Sequence, residues 1–390
     1  MLPPNFGAAR QMEIYLGARP SVPVGLAALE EKAREALEPA AWDYVMGSAG
    51  GERTAAANLA AFERWPIVPR MQRDVGQRDL SIELWGARLP APLLLGPVGV
   101  QGILHPEGEL AAARAAAALG VPFVLSTVSS RPMEEVAAAA PAGPRWFQLY
   151  PSRDAELNAS LLGRAEAAGY GAAAVTLDTR LMGWRDRDLE RAYLPFLRAE
   201  GLANYFTDPV FRAALAEPPE RDPAAAVRHW AGLYSNPAAT WEQIRGLRAL
   251  TRLPLVVKGV LHPDDARRAL DCGADGVIVS NHGGRQVDGA VAALEALPAV
   301  AEAVAGRAAV LFDSGIRRGA DILKALALGA AAVLIGRLYC LGLAAAGEAG
   351  VRDTVLNLLA DFDVTMALSG YSRCGELDRG ALDLAASARA

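Results

Sequence analysis

Cysteine and histidine are scarce in this chain of 390 residues, which contains three cysteines and four histidines. The cysteines, Cys272, Cys340 and Cys374, form no CxxC pair and have no matching cluster of histidines. A zinc site or a disulfide framework is therefore not expected, and we predict no metal centre. This cysteine content favours a reducing, cytoplasmic location.

An excess of basic charge and long apolar runs are also lacking. The net charge of -5 and the pI near 5.6 argue against nucleic acid or an anionic membrane as a partner. No run reaches membrane-spanning length, and residues 1–10 have neither an apolar core nor a cleavage pattern. With 52% hydrophobic and 21% charged residues, the chain is expected to be globular and long enough for one large domain or two small ones.

From residue 92 onward the chain does contain a regular alternation of apolar and helical segments. The helical patterns include Gly108–Leu119, Asp154–Ala168, Asp264–Cys272 and Gly319–Leu328. Short apolar runs that end in polar or glycine residues are typical of buried parallel strands. Candidate strands are Pro92–Gly99, Val121–Ser126, Trp146–Tyr150, Ala172–Asp178, Pro254–Gly259, Gly276–Asn281, Val310–Gly315 and Ala332–Gly336. This series of strands alternating with helices predicts an α/β fold, the (β/α)8 TIM barrel, with a doubly wound open sheet as the alternative.

The remaining segments are expected to extend this barrel within a single domain, residues 1–390. Residues 179–253, between the fourth and fifth strands, are far longer than one helix needs and are rich in aromatic residues. We expect them to form a lid or a subunit contact at the C-terminal face of the barrel. The other parts are an N-terminal extension (1–91) with a helix at Leu26–Leu37, the barrel (92–345), and C-terminal helices (346–390).

Polar residues end most of the candidate strands, at the face where barrels of this class place their active sites. A buried strand end with unsatisfied polar groups costs free energy, so this ring of residues is expected to face a ligand. The ring comprises Gly99, Ser126, Gln148, Tyr150, Thr176, Asp178, Lys258, Ser280, His282, Arg285, Asp313, Arg317, Gly336 and Arg337.

The loop at 280–289, with the sequence SNHGGRQVDG, carries the most specific chemistry. Histidine suits proton transfer near neutral pH, and arginine presents a fork of donors that matches a carboxylate. Gly283 and Gly284 widen the backbone choices, so that His282 and Arg285 can face one ligand. The alternative is a simple turn with a capped histidine and a surface arginine.

Two further loops, 313–319 and 335–337, follow the seventh and eighth strands, where barrels commonly bind phosphate. Together they predict a phosphate-bearing cofactor or substrate, although each alone is also typical of a helix-capping turn. Lys258 ends a buried strand and is either an imine former or a fixed positive charge beside an electron-rich ring. Asp178 either orients His282 or caps the following segment.

These segments resemble the FMN-dependent L-2-hydroxy acid oxidases and dehydrogenases. The resemblance rests on SNHGGRQ with its following Asp-Gly, on DSGIRRGADILKALALGA at 313–330 and on IGR at 335–337. Within that family the chain looks most like the lactate 2-monooxygenases, through segments 81–86, 183–185 and 203–211.

The resemblance implies a role for each ring residue. His282 would be the base and Asp178 its partner, while Arg285 and Arg185 would hold the substrate carboxylate and Tyr44 and Tyr150 would hydrogen-bond the substrate. Lys258 would stabilise negative charge on reduced flavin. The remaining FMN contacts implied are Gly99, Ser126, Gln148, Thr176, Ser280, Asp313, Gly315, Arg317, Gly336 and Arg337. From local sequence alone, Tyr44 would instead belong to the C-terminal end of a helix.

The residue at position 99, a glycine, distinguishes between the reactions known in this family. Many oxidases of the family have alanine there, whereas Pro97-Val98-Gly99 resembles the lactate monooxygenases and the mandelate dehydrogenases. Oxygen would be the acceptor, with oxidative decarboxylation of the retained keto acid. The alternatives are a peroxide-releasing oxidase or a mandelate-type dehydrogenase and, outside the family, a phosphate-binding barrel lyase that uses Lys258. The family resemblance also implies a homo-oligomer, a tetramer or an octamer.

Overall fold

The computed structural model describes residues 3–387 and contains a closed barrel of parallel strands. The strands are β1 (Ile82–Leu84), β2 (Ala87–Leu89), β3 (Leu93–Leu95), β4 (Phe123–Ser126), β5 (Arg145–Leu149), β6 (Ala173–Thr176), β7 (Leu255–Val260), β8 (Gly276–Val279), β9 (Ala309–Phe312) and β10 (Ala332–Ile335). Strands β3 to β10 pair in chain order, and β10 closes onto β3. The (β/α)8 prediction is confirmed, and the open-sheet alternative is wrong.

Helices surround this barrel. They are α1 (Phe6–Tyr15), α2 (Leu26–Ala36), α3 (Pro39–Met46), α4 (Arg53–Ala60), α5 (Gly108–Leu119), α6 (Met133–Ala139), α7 (Ala155–Ala167), α8 (Asp186–Glu190), α9 (Ala203–Phe206), α10 (Pro209–Ala213), α11 (Pro223–Tyr234), α12 (Trp241–Leu250), α13 (Pro263–Asp271), α14 (Ala293–Val304), α15 (Gly319–Ala327), α16 (Arg337–Leu368) and α17 (Leu384–Ser387). Helix α16 is broken at Ala346 and Gly347, where the backbone is not helical. No helix within residues 3–387 is long and apolar enough to cross a membrane.

A hairpin of β1 and β2 closes the N-terminal end of the barrel. Its turn residues, Trp85 and Gly86, both have positive φ, as a tight two-residue hairpin requires. The Trp85 ring packs against Trp146, and its Nε1 donates to the carbonyl of Asp275. A Cβ on Gly276 would lie 2.9 Å from the Trp85 ring, so this position needs glycine. Because this end is filled with apolar side chains, the open end of the barrel is the one where the strands terminate.

The long connection between β6 and β7 has two parts. Its last helix, α12, packs between α7 and α13 and therefore belongs to the outer ring of the barrel. The preceding residues, 177–240, lie over the open end and are held by packed aromatic rings, with the ring centroid of Trp230 4.8 Å from that of Tyr234 and 5.0 Å from that of Phe196. We call this part the roof.

The N-terminal extension packs against α16, against the loop that follows β8 and against the roof. Helices α1 and α2 contact α16, and α4 contacts the turn at His282–Gly284. Helix α3 ends where Gly47 donates to the carbonyl of Asp43. This helix end places the Tyr44–Gly47 turn beside the loops that follow β8 and β10.

Candidate active site

A row of buried hydrogen-bonding side chains crosses the open end of the barrel, and we call it the floor. The pairing registers place Ser126 beside Gln148 and Thr176 beside Lys258. The Ser126 hydroxyl donates to Oε1 of Gln148 (3.1 Å), whose Nε2 donates to the Thr176 hydroxyl (3.0 Å). All these side chains are buried. Buried polar groups are costly unless they are paired, so this chain of bonds fixes their positions.

Lys258 continues this row as a fixed positive charge. Its Nζ donates to the Ser280 hydroxyl (2.9 Å) and lies 3.2 Å from a carboxylate oxygen of Asp313. Burial alone would lower the pKa of Lys258, but the charges of Asp313 and Asp178 outweigh it and raise the pKa. A lysine that stays protonated is a poor imine former, which weighs against the lyase alternative.

His282 lies directly above the floor, held by a carboxylate. Its Nδ1 is 2.7 Å from Oδ1 of Asp178, and its backbone N–H donates to the Ser280 hydroxyl. His282 has a positive φ of 59°, a conformation that β-branched residues rarely adopt. Its Nε2 points towards the Tyr150 hydroxyl, 3.5 Å away. The carboxylate therefore orders the ring and leaves Nε2 facing the cleft.

Burial and charge set opposite protonation states for this pair. Burial lowers the pKa of His282 and is only partly offset by the attraction of Asp178. Burial would raise the pKa of Asp178, but His282 and Lys258 outweigh it and lower the pKa to about 2. Near neutral pH the imidazole is therefore uncharged beside an ionised carboxylate. Burial raises the pKa of Tyr150 to about 12, so its hydroxyl keeps its proton.

Two arginines form a cationic pocket next to His282. The Arg285 guanidinium lies over the Tyr44 ring at 5.2 Å and donates to the carbonyls of Tyr44 (2.7 Å) and Gly47 (2.6 Å). Arg185 donates to the carbonyl of Arg285 and lies 3.7 Å from Asp188. Burial and the charge of Arg185 lower the pKa of Arg285 to about 10. An anion bound between the two guanidinium groups would relieve this repulsion.

A second cationic pocket lies after β9 and β10. Arg337 donates to the carbonyls of Val45 (3.1 Å), Gly47 (2.8 Å) and Gly283 (2.9 Å). Within the described part of the chain, the Arg317 guanidinium donates only to the carbonyl of the adjacent residue, Ile316. Burial lowers the pKa of both arginines, and for Arg337 the neighbouring arginines lower it further. The pocket therefore favours a strongly anionic group.

One cleft joins both cationic pockets. Of the predicted site residues, it is lined by Tyr44, Gly99, Tyr150, Arg185, Lys258, His282, Arg285, Asp313, Gly315, Arg317, Gly336 and Arg337. The other predicted residues, Ser126, Gln148, Thr176, Asp178 and Ser280, lie behind this lining and are bonded to it or to each other. The structure thus brings the predicted set together at the open end of the barrel.

Several residues that position this site were missed by the sequence analysis. Gly259 has a φ of 100° at an irregularity in β7, and a Cβ there would lie 2.8 Å from Cβ of Asp178. The side-chain amides of Asn58 and Asn281 bond each other, and the Ser314 hydroxyl accepts from the N–H of Gly283. The one local signal was the glycine that directly follows Lys258, which is typical of a bulge or a close backbone approach.

These features fit FMN, the cofactor implied by the family resemblance. The buried row from Ser126 to Lys258 offers donors and acceptors along one edge of the cleft. Arg317 and Arg337 supply a cationic end, and Gly315 leaves no side chain between them. Burial lowers the pKa of both arginines, and a bound phosphate would raise it. The residues present are therefore those that a flavin ring with a phosphate tail requires.

Comparison with known proteins gives the same family. Residues 33–384 match the FMN-dependent dehydrogenase family. The chain is 44% identical over 387 residues to an FMN-dependent alpha-hydroxy acid dehydrogenase, qulF, of Penicillium citrinum, covering 97% of this chain and 96% of that one. It is 44% identical to an L-lactate oxidase of Lysinibacillus sphaericus (90% and 91% covered).

A crystal structure of mandelate oxidase is similar to this chain in three dimensions. The TM-score is 0.82 at 43% sequence identity, and the match covers 93% of this chain and 98% of that one. At this identity the similarity extends beyond the fold to the family. The chain therefore belongs to the FMN-dependent dehydrogenase family and is an FMN-dependent alpha-hydroxy acid oxidoreductase.

Proposed function

We propose that this protein oxidises an L-2-hydroxy acid to the 2-keto acid with oxygen as the electron acceptor. The observation that carries this proposal is the contact of His282 with the Asp178 carboxylate, beside the two arginines of the substrate-side pocket. A base and a carboxylate clamp in one cleft are what removal of a proton from a hydroxy acid requires. The relatives named as an L-lactate oxidase and a mandelate oxidase support oxygen as the acceptor.

His282 is proposed as the base through Nε2. Its neutral state leaves this nitrogen able to accept the substrate proton, and Asp178 then stabilises the imidazolium that forms. The depressed pKa of Asp178 keeps the carboxylate ionised throughout. FMN, when bound, would supply the two-electron acceptor of the reaction.

Four residues are proposed to hold the substrate. Arg285 and Arg185 take the carboxylate, and the hydroxyls of Tyr44 and Tyr150 bond its oxygen atoms. All four line the cleft. Arg285 already spans the Tyr44–Gly47 turn with two hydrogen bonds, so its guanidinium has few orientations to lose when a carboxylate binds.

The floor and the second cationic pocket are proposed to hold FMN. Lys258 stays positively charged and would stabilise negative charge on a flavin held against the floor. Arg317, Arg337 and the Gly315 turn receive the phosphate. The other cofactor contacts proposed are Gly99, Ser126, Gln148, Thr176, Ser280, Asp313 and Gly336.

For the fate of the product we propose a lactate 2-monooxygenase-like reaction. The keto acid and hydrogen peroxide react before release, giving the acid shorter by one carbon, carbon dioxide and water. Support comes from the roof, whose Arg187 and Arg191 pair with Glu52 and Asp43 on the N-terminal extension and so close the cleft on one side. The second candidate is an oxidase that releases keto acid and peroxide, which the names of the relatives favour.

The first experiment is the visible spectrum of the purified, FMN-loaded protein before and after anaerobic addition of L-lactate. Loss of the oxidised flavin absorbance supports the proposed oxidation and the lactate class. Loss with L-mandelate alone moves the substrate to aryl hydroxy acids. If neither acid nor a longer aliphatic one reduces the flavin, the proposed function is wrong.

A second experiment separates the two product fates. After oxygen is readmitted, peroxide and carbon dioxide are measured against the substrate consumed. One carbon dioxide and no peroxide per turnover supports the monooxygenase-like reaction, and one peroxide without carbon dioxide supports the oxidase.

We also propose that residues 1–390 act as one catalytic domain and that the protein is a cytoplasmic homo-oligomer, a tetramer or an octamer. Exposed apolar side chains on and after α1, including Met12, Tyr15 and Leu16, offer a surface for subunit contact. Light scattering coupled to size-exclusion chromatography measures the subunit number directly.

A further inference from the structure

Glu109 is a buried acid for which the proposed reaction has no use. It lies in the first turn of α5 and its side chain is 0% exposed. Glutamate is almost never fully buried unless it is paired, yet no lysine, arginine or histidine pairs with it within residues 3–387. Burial raises its pKa, although several hydrogen bonds oppose this. Such a group is costly to keep, so its contacts indicate what it does.

One oxygen of Glu109 joins two loops of the open end. Its Oε1 accepts from the backbone N–H of Gln101 (3.0 Å) and from that of Ser130 (2.9 Å). Gln101 belongs to the loop after β3, and Ser130 belongs to the loop after β4. Two further bonds tie these loops, from the N–H of Val100 to the carbonyl of Val128 (2.9 Å) and from the N–H of Gly102 to the Ser130 hydroxyl (2.9 Å).

These two loops form one wall of the cleft. Gly99 and Val128 line it from opposite loops. A Cβ on Gly99 would lie 2.6 Å from a methyl carbon of Val128 and 2.8 Å from its carbonyl oxygen. The loops are therefore closer together than one added methyl group allows, and a small change in their separation changes the shape of the wall.

The loop after β3 is also tied to the barrel. Nε2 of Gln101 donates to the carbonyl of Val98 (3.1 Å) and to the Tyr339 hydroxyl (2.9 Å). That hydroxyl in turn donates to the carbonyl of Gly96 (3.0 Å). The loop is thus fixed to the barrel on one side and to Glu109 on the other.

We propose that Glu109 is a positioning residue for the reaction in the cleft. By holding the N–H groups of Gln101 and Ser130 on one oxygen, it sets the separation of the two loops and so the place of Gly99 and Val128. This inference rests on the proposed function in taking the cleft as the site of reaction.

The surroundings of the second oxygen fit a protonated carboxyl. Among residues 3–387, neither Oε2 of Glu109 nor Oε1 of Gln101 has a hydrogen-bond partner at bonding distance, and both are buried. The Ser129 side chain is near enough to Glu109 to oppose part of the rise in its pKa. A proton on the carboxyl removes an unpaired buried charge and leaves Oε1 free to accept both N–H groups. Glutamine at this position keeps that acceptor and the same shape, whereas alanine removes it.

The test uses the FMN-loaded full chain as wild type, Glu109→Ala and Glu109→Gln. The control is Glu107→Gln, two residues earlier, where the carboxylate pairs with Arg114 at the surface. Two quantities are measured: hydrogen exchange of the peptides covering 98–104 and 126–132, and the rate constants of flavin reduction by substrate and of reoxidation by oxygen. The first does not depend on activity.

For Glu109→Ala we expect exchange at least ~10-fold faster in both loops, because the two amides lose their acceptor. We expect ~10-fold to ~100-fold slower flavin reduction or reoxidation, since displaced groups in an active site have effects of this size. FMN stays bound. Glu109→Gln and Glu107→Gln remain within about threefold of wild type in both measurements.

Unchanged exchange and rates in Glu109→Ala would overturn the proposal. So would a Glu109→Gln variant that is as slow as Glu109→Ala with normal exchange, because its defect would come from charge rather than position. If the alanine variant does not fold, Glu109→Asp replaces it, since the shorter side chain withdraws the acceptor. A wild-type protein that no hydroxy acid reduces contradicts the proposed function, while the exchange comparison still decides the role of Glu109.

Discussion

The floor and the roof of the cleft are held by different forces. The floor consists of buried side chains at strand ends, such as Gln148 and Lys258, which are paired with one another away from water. The roof is held by aromatic packing and by ion pairs at the surface, such as Arg191 with Asp43. Buried polar networks lose much when one member is removed, whereas exposed ion pairs contribute about 0–1 kcal/mol each. The floor should therefore control the chemistry, and the roof the time that ligands stay.

The largest expected effect lies directly above the floor. Replacing His282 with glutamine removes the proposed base, and we expect the rate of flavin reduction to fall by about 10³-fold to 10⁴-fold, near the upper limit for general base catalysis. FMN binding should change little, because the floor side chains remain. Anaerobic stopped-flow absorbance measures the rate. A variant that retains more than a tenth of the wild-type rate would show that another group is the base.

Asp178→Asn should have the next largest effect, about 10²-fold on the same rate, through loss of the carboxylate that orients and stabilises the ring. The same variant also tests how Asp178 changes the pKa of His282. The base must be neutral, so the wild-type rate should rise with pH through a pKa below 6.5, where burial has placed it. Asp178 raises that pKa, so its removal should move the acidic limb to lower pH. A shift to higher pH would contradict this account of the pair.

Gly99 and Val128 test whether the loops at the edge of the floor also control the chemistry. A methyl group on Gly99 meets Val128 at 2.6 Å, so Gly99→Ala should displace one loop and slow reoxidation by oxygen by about tenfold. Val128→Ala removes the side-chain contact but leaves the carbonyl oxygen of residue 128 at 2.8 Å from that methyl group. The double variant should therefore recover part of the lost rate, and a double-mutant cycle on reoxidation rates measures the coupling. Additive effects would mean that the two side chains act independently.

The smallest effect is expected in the roof. Arg187→Ala removes the contact with Glu52 (2.5 Å) and the weaker one with Asp43 (3.6 Å). We expect flavin reduction within about threefold of wild type and product release about twofold to fivefold faster, matching about 0.5–1 kcal/mol. The ratio of peroxide to carbon dioxide should rise, and added salt should raise it in the wild type as well. Arg221→Ala, at an exposed pair with Glu217 in the same segment, is the control.

The sequence predicted the floor better than the roof. Each barrel strand lies within its predicted segment or extends it by one residue, because a buried parallel strand must be a short apolar run with a polar end. Parallel strands end at one face of a barrel, so Ser126, Thr176 and His282 could be expected together. The boundary of the roof could not be predicted in the same way, since α12 is assigned to the barrel ring only by its contacts with α7 and α13.

The remaining features depend on contacts between distant residues. Nothing near Glu109 in the sequence indicates that it accepts hydrogen bonds from two loops. The Asn58–Asn281 pair joins residues 223 positions apart, and a Cβ on Gly259 would meet Asp178, which lies 81 positions earlier, at 2.8 Å. Each is a consequence of three-dimensional packing, which local pattern and propensity do not contain.

The Tyr44–Gly47 turn has a consequence for synthesis on the ribosome. Its carbonyls are held by Arg285 and Arg337, which follow Tyr44 by 241 positions and Gly47 by 290. At translation rates of about 5–20 residues per second, the last of these partners is made roughly 15–60 s after the turn. Until then the carbonyls of this turn lack both arginine donors. The substrate pocket, to which Arg285 belongs, therefore cannot be completed until late in the synthesis of the chain.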